Sequence, residues 1–401
     1  MPSPVFQSGD SPEFPKVKIS SRGAQRIKHG HVWVYRSDVA AADGVAPGAV
    51  VQACDERGKF LGTAFYSTAS QIAVRLISRD AVKDFHALLR ERIRAAVEYR
   101  ERLVQNTDAY RVIFSEADFL PGLIVDRYND LLSFQVLTQA TDADPVRETV
   151  LAELTEQLHP AAIGEKVEPK IRELEQLPAR TSGVAQGEKS STIFSMNGVR
   201  FHYDVKEGQK TGAFLDQREN YAAAAQYARG EALDVFCYHG GFGLHLAQAG
   251  CKVTGVDSSR PALEVADRNA ELNGRQMEWI EGNAFDVLRD YAKSGQRYDA
   301  VVLDPPAFAK SKRDLETALR GYKELNLRAL KMLRRGGILV TCSCSYHVSA
   351  AEFLAVVAEA GSDAHRELRI VESRTQARDH PILANVPETG YLKCIIMYVS
   401  N

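Results

Sequence analysis

The sequence predicts an α/β protein whose C-terminal half is a doubly wound parallel sheet, preceded by a small all-β module and an α+β linking block. Three observations predict it. From residue 232 onward, short apolar runs alternate with helical periodicity, the pattern of parallel strands joined by crossover helices. Residues 14–80 contain only short strand-like runs separated by turn signals. The block between them mixes both periodicities.

In the first module VWVYR, AVVQAC, FLGTAFY and IAVRLI read as strands, with turns at ADGVAPG and DERGK, so a small barrel is expected. Residues 82–105 read as a helix, because HALLRERIRAAVEYRERLV repeats apolar or aromatic positions at helical spacing. GLIVDRY and LLSFQVLT follow as strands joined at Asn129-Asp130, a hairpin signal. A second helix covers 145–158, and the polar stretch 164–192 reads as a loose connection. IFSMNGVRFHYDV is a hairpin turning at Asn197-Gly198. The strands ALDVF, KVTGVD, MEWIEG, DAVVLD and ILVTCS then alternate with a helix after the first Gly-rich turn and helices over 260–272, 285–292, 314–334 and 350–360. The expected domains are 1–80, 81–192 and 193–401.

Composition narrows the class. The 401 residues are 45% hydrophobic and 25% charged, and no apolar run approaches the ~20 residues of a membrane span. The start, MPSPVFQSGDSPEFP, has neither a basic nor an apolar leader segment. Cys54, Cys237, Cys251, Cys342, Cys344 and Cys394 are scattered, which fits reduced thiols in the cytoplasm and not a disulfide framework. The net charge of −2 announces no nucleic-acid partner. Locally the pattern differs: residues 16–36 carry Lys16, Lys18, Arg22, Arg26, Lys28 and Arg36 without an acid, and Trp33 and Tyr35 sit among them. Such a stretch suits bases stacked on aromatics and cations on phosphates; it equally suits a solvated basic face over a core tryptophan.

Ligands of a doubly wound sheet sit beyond the carboxyl ends of its strands. The first strand runs into CYHGGFG, where Gly240, Gly241 and Gly243 allow close backbone approach. The second ends at Asp257, where an acid can accept both hydroxyls of a ribose. The third ends in EGNAFD, where Asn283 can meet an adenine edge. These describe an adenosine-type pocket. The turn is G-G-x-G and not G-x-G-x-x-G, and the fourth strand ends in DPPAF. Asp304, Pro305, Pro306 and Phe308 have no role in hydride transfer; they suit a methyl transferase holding a planar base beside its donor.

With these residues in view, the chain resembles the RlmI-type bacterial large-subunit ribosomal RNA (cytosine-5) methyltransferases. The likeness runs from 16 to 399: HVWVYR and YSTASQIAVRL resemble the family's PUA domain, EADFLPGLIVDRYND its middle domain, and GQKTGAFLDQREN, FCYHGGFG, VDSSRPALEVADRNAELN, LDPPAFAKSK, TCSCS, DHPI and GYLK its catalytic part. The resemblance implies a Rossmann-like class I methyltransferase domain behind a PUA domain, S-adenosyl-L-methionine as donor, and a cytidine of large-subunit ribosomal RNA as partner. It implies that Phe236, Tyr238, Gln217 and Arg218 line the donor pocket, with Arg218 suited to the methionine carboxylate. Arg218 paired with Asp216 or Glu219 is the structural alternative. Assembly state is open, a homodimer included. His239 in the turn, Asn283 in place of an acid and Tyr346 in place of glycine depart from the family pattern.

C5 of cytosine is a poor nucleophile, and a thiolate added at C6 turns the ring into an enamine that can attack an electrophilic methyl. Cys342 and Cys344 in TCSCS alternate onto one side of a strand. The small-Cys-Ser triplet at the strand end points to Cys344 as nucleophile, leaving Cys342 as a small buried residue. A metal site from Cys342, Cys344 and His347 lacks a fourth ligand. Asp304 can bind N3 and the exocyclic amine of the base. Lys310, Lys312 and Arg313 at the rim, and Arg22, Arg26 and Lys28 in the first module, are candidate phosphate contacts. Two rivals stay open: an amino methyltransferase, which uses the Asp-Pro-Pro-aromatic motif and needs no cysteine, and a non-catalytic RNA-binding assembly factor.

Overall fold

The computed structural model describes residues 14–205, 213–309 and 311–400. They form two compact units. The first takes the described residues up to Leu103, Arg111–Ser190 and Ile382–Pro387; the second takes Val104–Tyr110, Ser191–Pro381 and the described residues from Glu388. Among the described residues no helix is long and apolar enough to cross a membrane, and no cysteine forms a disulfide.

The first unit contains a six-stranded sheet in the order Trp33–Tyr35, Ile72–Ser78, Phe60–Tyr66, Val50–Asp55, Lys16–Ile19, Val39–Ala41. Alternation along these strands buries Val17, Ile19, Val34, Val51 and Val74 in one core. The module also contains a helix, Ser21–Lys28, that the strand reading passed over. Ser20 caps it by accepting from the Gly23 amide, a good start signal. Gly23 lies so close to Ile19 that an added Cβ would stand 2.6 Å from its side chain.

A second sheet orders Gly183–Gly187, Ala162–Glu165, Leu131–Val136, Leu123–Tyr128 and Ala109–Phe114. Its central hairpin turns at Asn129, in the left-handed region at φ 54°. The helices Phe85–Leu103 and Asp144–Leu158 are present as expected. The stretch 164–192 is not a loose connection: Ala162–Glu165 pairs in parallel with Leu131–Val136, and Gly183–Gly187 closes the edge antiparallel. Buried ion pairs fix it: Arg147 holds Glu165 at 2.6 Å, and Arg172 holds Asp142 at 3.1 Å. Charges of this polar stretch are here internal partners.

The second unit is built on seven strands, labelled β1 (Glu231–Val235), β2 (Lys252–Asp257), β3 (Glu278–Glu281), β4 (Tyr298–Leu303), β5 (Leu333–Ser343), β6 (Leu368–Arg374) and β7 (Lys393–Val399). Their order is β3-β2-β1-β4-β5-β7-β6. The first five are parallel; β7 runs antiparallel between β5 and β6. The chain winds outward from β1 to β3 and returns to β4 on the other side of β1, so the order reverses between β1 and β4. That reversal opens a crevice at the carboxyl ends of the two strands. Leu233, Val235, Val301, Leu303, Leu325, Leu339, Val357 and Met397 form the core under it. Ser191–Met196 and Val199–Asp204 pair as a hairpin, with Asn197 and Gly198 at φ 52° and 82°, the two left-handed positions of a tight hairpin turn.

Arg100 in the first unit tests how far internal charge supports the fold. It is fully buried, and its guanidinium meets Asp118 at 2.5 and 2.8 Å. Removing one partner leaves the other charge buried and uncompensated. Arg100→Met is therefore expected to lower stability by about 3–5 kcal/mol in a urea titration; a loss below ~1 kcal/mol, the size of an exposed pair, would show that Asp118 finds water instead.

Candidate active site

The site begins where β1 ends. Asp234, buried in β1, accepts the Gly243 amide at 2.7 Å, tying the strand to the start of the helix Gly241–Gln248. Its other oxygen, Oδ1, has no hydrogen-bond partner among the described residues. Burial raises its carboxyl to about 7, opposed by the Gly243 amide and assisted by the charge of Asp257. Between strand and helix the chain passes through left-handed φ at Phe236 (66°), Tyr238 (49°) and Gly240 (82°). Two of these three bear side chains, and such backbone strain concentrates at functional turns. Gly241 permits close approach: an added Cβ would meet the Tyr221 ring at 2.5 Å.

Asp257 at the end of β2 accepts the Tyr238 amide through Oδ2 and the Ser259 amide through Oδ1, both at 2.9 Å. The two bonds fix the carboxylate while each oxygen keeps a second lone pair. Asn283 caps the helix Ala284–Ser294 by accepting from Phe285 at 2.9 Å and is exposed. Tyr238 stacks on His239 with ring centres 3.6 Å apart and meets Phe214 edge-on. Burial, with Arg268 nearby, pulls the His239 imidazole down to about 4, so it is neutral at physiological pH. These rings, Asp234, Asn269 and Asp304 line a cleft with about 460 Å³ of empty space, open mouth included.

On the other side of the reversal, Asp304 follows β4. Gln217 donates to Asp304 Oδ1 at 2.9 Å, Asn220 donates to Gln217 Oε1 at 2.7 Å, and Arg374 donates to Asn220 at 2.9 Å. Gln217 is thus buried behind the acid and orients it. Arg218 does not face the cleft: it is 1% exposed, and its guanidinium is held by Asp379 at 3.2 Å through both nitrogens and by the Ala109 carbonyl. An internal carboxylate occupies it, so it leaves the set of donor contacts. Phe308 is half-buried and packs on Tyr322, ring centres 4.8 Å apart, against the core. Pro305 is buried, Pro306 and Lys312 are exposed, and Lys310 lies outside the described residues.

The two cysteines differ. Cys342 is fully buried and faces Cys394 across β5 and β7. Burial, with Cys394 and Asp304 nearby, pushes its thiol well above the ordinary range. Cys344 lies just past β5, is partly exposed, and its Sγ sits 3.8 Å from the Pro305 carbonyl. Ser343 and Ser345, on either side of it, turn the other way: their hydroxyls meet the Tyr322 hydroxyl at 3.0 and 2.9 Å, and the Ala309 amide donates to Ser345. Tyr322 lies in the helix Leu315–Met332 and holds both flanks, which leaves the thiol on the side of Pro305. Asp234, Asn220, Arg374 and Tyr322 escape the sequence reading because nothing distinguishes them there from ordinary strand, helix or surface residues. The first module is separate in kind: Arg22 pairs with Asp38 at 2.6 Å, Arg26 lies over the Tyr35 ring, and Arg36 binds the carbonyls of Ser67 and Ser70, while Lys16, Lys18, Arg22 and Lys28 remain exposed.

Sheet order, the turn after β1 and the acid after β2 define an S-adenosylmethionine-dependent methyltransferase of the Rossmann-like class. Residues 143–397 match the family model described as S-adenosylmethionine-dependent methyltransferase, and residues 17–79 match that of a PUA-like domain. Ribosomal RNA large subunit methyltransferase I of Shewanella denitrificans is 38% identical over 96% of this chain and 99% of its own, and that of Tolumonas auensis is 39% identical over 92% and 95%. The crystal structure of SMU.776, a candidate methyltransferase complexed with SAH, shares the fold with a TM-score of 0.83 at 20% identity, covering 96% of this chain and all of that one. The chain belongs to the S-adenosylmethionine-dependent methyltransferases, in the family of ribosomal RNA large subunit methyltransferase I.

The residues present fit the donor. The cleft lies at the strand reversal and is lined by Asp234, and Asp257 is fixed with lone pairs to spare. Two charge-assisted hydrogen bonds to ribose contribute ~1.5–3 kcal/mol each. Asp257→Ala is therefore expected to weaken S-adenosylmethionine binding well over tenfold by calorimetry; unchanged affinity in a folded variant refutes the assignment.

Proposed function

We propose that the chain transfers a methyl group from S-adenosylmethionine to C5 of a cytidine in large-subunit ribosomal RNA, through a covalent bond between Cys344 and C6 of the base. One observation carries this reading: at the end of β5 the partly exposed thiol of Cys344 stands beside the Asp304-Pro305 corner, whereas Cys342 is sealed beneath it. The names of the relatives support ribosomal RNA as the substrate class. The donor supplies an electrophilic methyl group. Asp257 would hold its ribose, and the cleft around Tyr238 and Asp234 would hold the rest of the nucleoside.

In this reading Asp304, oriented by Gln217, binds the N3 and N4 edge of the cytosine and stabilises charge that develops on the ring. Cys344 adds to C6, the enamine carbon C5 takes the methyl group, the C5 proton leaves, and the thiol is expelled. The division into a PUA-like module over 1–80, a linking domain over 81–192 and a catalytic domain over 193–401 belongs to the same proposal, as does a cytoplasmic location. The exposed cations of the Lys16–Lys28 stretch then face phosphates.

RNA carrying 5-fluorocytidine at the target is expected to trap the chain, because fluorine cannot leave C5 as a proton does. Cys344→Ala should abolish the adduct and keep donor binding. Cys342→Ala should still trap, with a packing loss of about 1 kcal/mol. An adduct mapped to Cys342 moves the nucleophile by one pleat. Activity retained by Cys344→Ala replaces the mechanism with amino methylation.

Charge reversal at Lys16, Arg22 and Lys28 should weaken RNA binding and flatten its dependence on salt, the slope falling by about 1 for every phosphate that is no longer neutralised. A slope that does not change assigns the stretch to solvent alone.

A further inference from the structure

The first unit holds a cavity of its own, about 530 Å³ of empty space with the open mouth included. Arg79, which follows the strand Ile72–Ser78, and Arg92, on the helix Phe85–Leu103, both line it. Val32 and Leu76 give it apolar surface, and Phe119 and Asp80 belong to the same wall. The Arg92 guanidinium carbon lies 5.1 Å from the centre of the Phe119 ring. One Arg79 nitrogen donates to the Ile27 carbonyl at 3.0 Å.

Charge is not balanced here as it is elsewhere in this unit. Arg94, Arg100 and Arg111 each meet a carboxylate, at 2.7, 2.5 and 2.8 Å. Among the described residues Arg79 and Arg92 have no ion-pair partner, although Asp80 lines the same cavity. Arg92 is half-buried, and its Nε is buried without a hydrogen-bond partner among the described residues. A guanidinium so placed calls for an acceptor. Phe119 adds a second sign, independent of charge. Its backbone is left-handed at φ 56°, an outlier for a bulky residue and a kind of strain that gathers at ligand sites. It closes the turn Ser115–Asp118 within the EADFLPG stretch, to which the methyl-transfer reading gives no task.

The wall is mixed in a way that suits one class of ligand. Two guanidiniums can fork onto phosphate oxygens. An aromatic ring and a guanidinium plane both stack on an unpaired base, the usual way single-stranded RNA is held. The exposed Asp80 carboxylate can accept from a ribose hydroxyl. The volume falls within the ~300–1,000 Å³ of small-ligand sites. We propose that this cavity binds one unpaired nucleotide of the RNA, away from the methylated position, with its phosphate on Arg79 and Arg92 and its base against Phe119. The inference rests on RNA being the substrate; it does not depend on the chemistry at Cys344.

The test is the affinity of the full chain for a transcript of large-subunit ribosomal RNA, measured across salt concentrations. Arg92→Met and Arg79→Gln are each expected to weaken binding and to lower the salt slope by about 1. The double variant should lose no more slope than either single one, because both side chains meet one phosphate. Phe119→Leu should weaken binding about tenfold at an unchanged slope, since it removes stacking and no charge. An unchanged slope in both arginine variants overturns the proposal. So does an additive loss in the double variant, which is the behaviour of separate solvated charges, and so does parental affinity in Phe119→Leu. Should Arg92→Met fail to fold, the exposed Arg79 keeps the slope test in force. Binding of free cytidine monophosphate that depends on Arg92, with RNA binding unaffected, makes the cavity a small-molecule site and overturns the RNA assignment. Slopes that fall as expected in a chain that 5-fluorocytidine RNA does not trap leave this site standing and remove the cytosine-5 mechanism. A parent chain that binds no ribosomal RNA removes the RNA reading and this site with it.

Discussion

β4 pairs in parallel with β1 on one side and β5 on the other, and the register aligns Val235, Leu303 and Thr341 across the three strands. Everything the site contains follows from that alignment. One residue beyond Leu303 is Asp304, and three beyond Thr341 is Cys344. Because the winding reverses at β1, no crossover helix covers this edge, and the turn after β1 opens onto the same crevice. A slip of one residue in β5 would turn the cysteines toward Tyr322 and the serines toward Pro305. The serine hydroxyls on Tyr322 oppose that slip, since each would otherwise be a buried, unsatisfied polar group.

A consistent division of labour runs through the polar residues. Groups that face the cleft carry few internal bonds, and the residues behind them are saturated. Asp304 is backed by Gln217, Asn220 and Arg374 in series, and Asp257 by two backbone amides. Rigid support of this kind holds a reacting group in place without a reorganisation cost at the moment of reaction. Arg218 is the opposite case: a cation near the site in sequence whose charge is consumed by Asp379.

The parallel part of the catalytic sheet was legible because each of its strands is a short apolar run bounded by Gly, Pro or acid, and because each ends on a residue with chemistry to offer. The helix Ser21–Lys28 was not, since six cations along it and its flanks drew attention to charge, and the local cue was one serine cap. The strands at Ala162–Glu165 and Gly183–Gly187 were hidden for a different reason: they lie in or beside a polar stretch that reads as a loose connection, and the tertiary pairing of Glu165 with Arg147 is what compensates its burial. The Cys342/Cys344 distinction followed from position at a strand end. The burial of Arg218 did not, because it depends on Asp379, a residue with no special sequence neighbourhood.

The turn after β1 has an implication for how this chain responds to selection. Phe236 and Tyr238 hold left-handed backbone that glycine would adopt at no steric penalty, and each such residue costs about 1–3 kcal/mol. A library screened for thermal tolerance alone would drift toward glycine at these positions. It would gain backbone relief and lose the Tyr238 ring that Phe214 and His239 pack against. Stability and turnover are therefore set against each other within a span of three residues, and a screen for one should be read beside a measurement of the other.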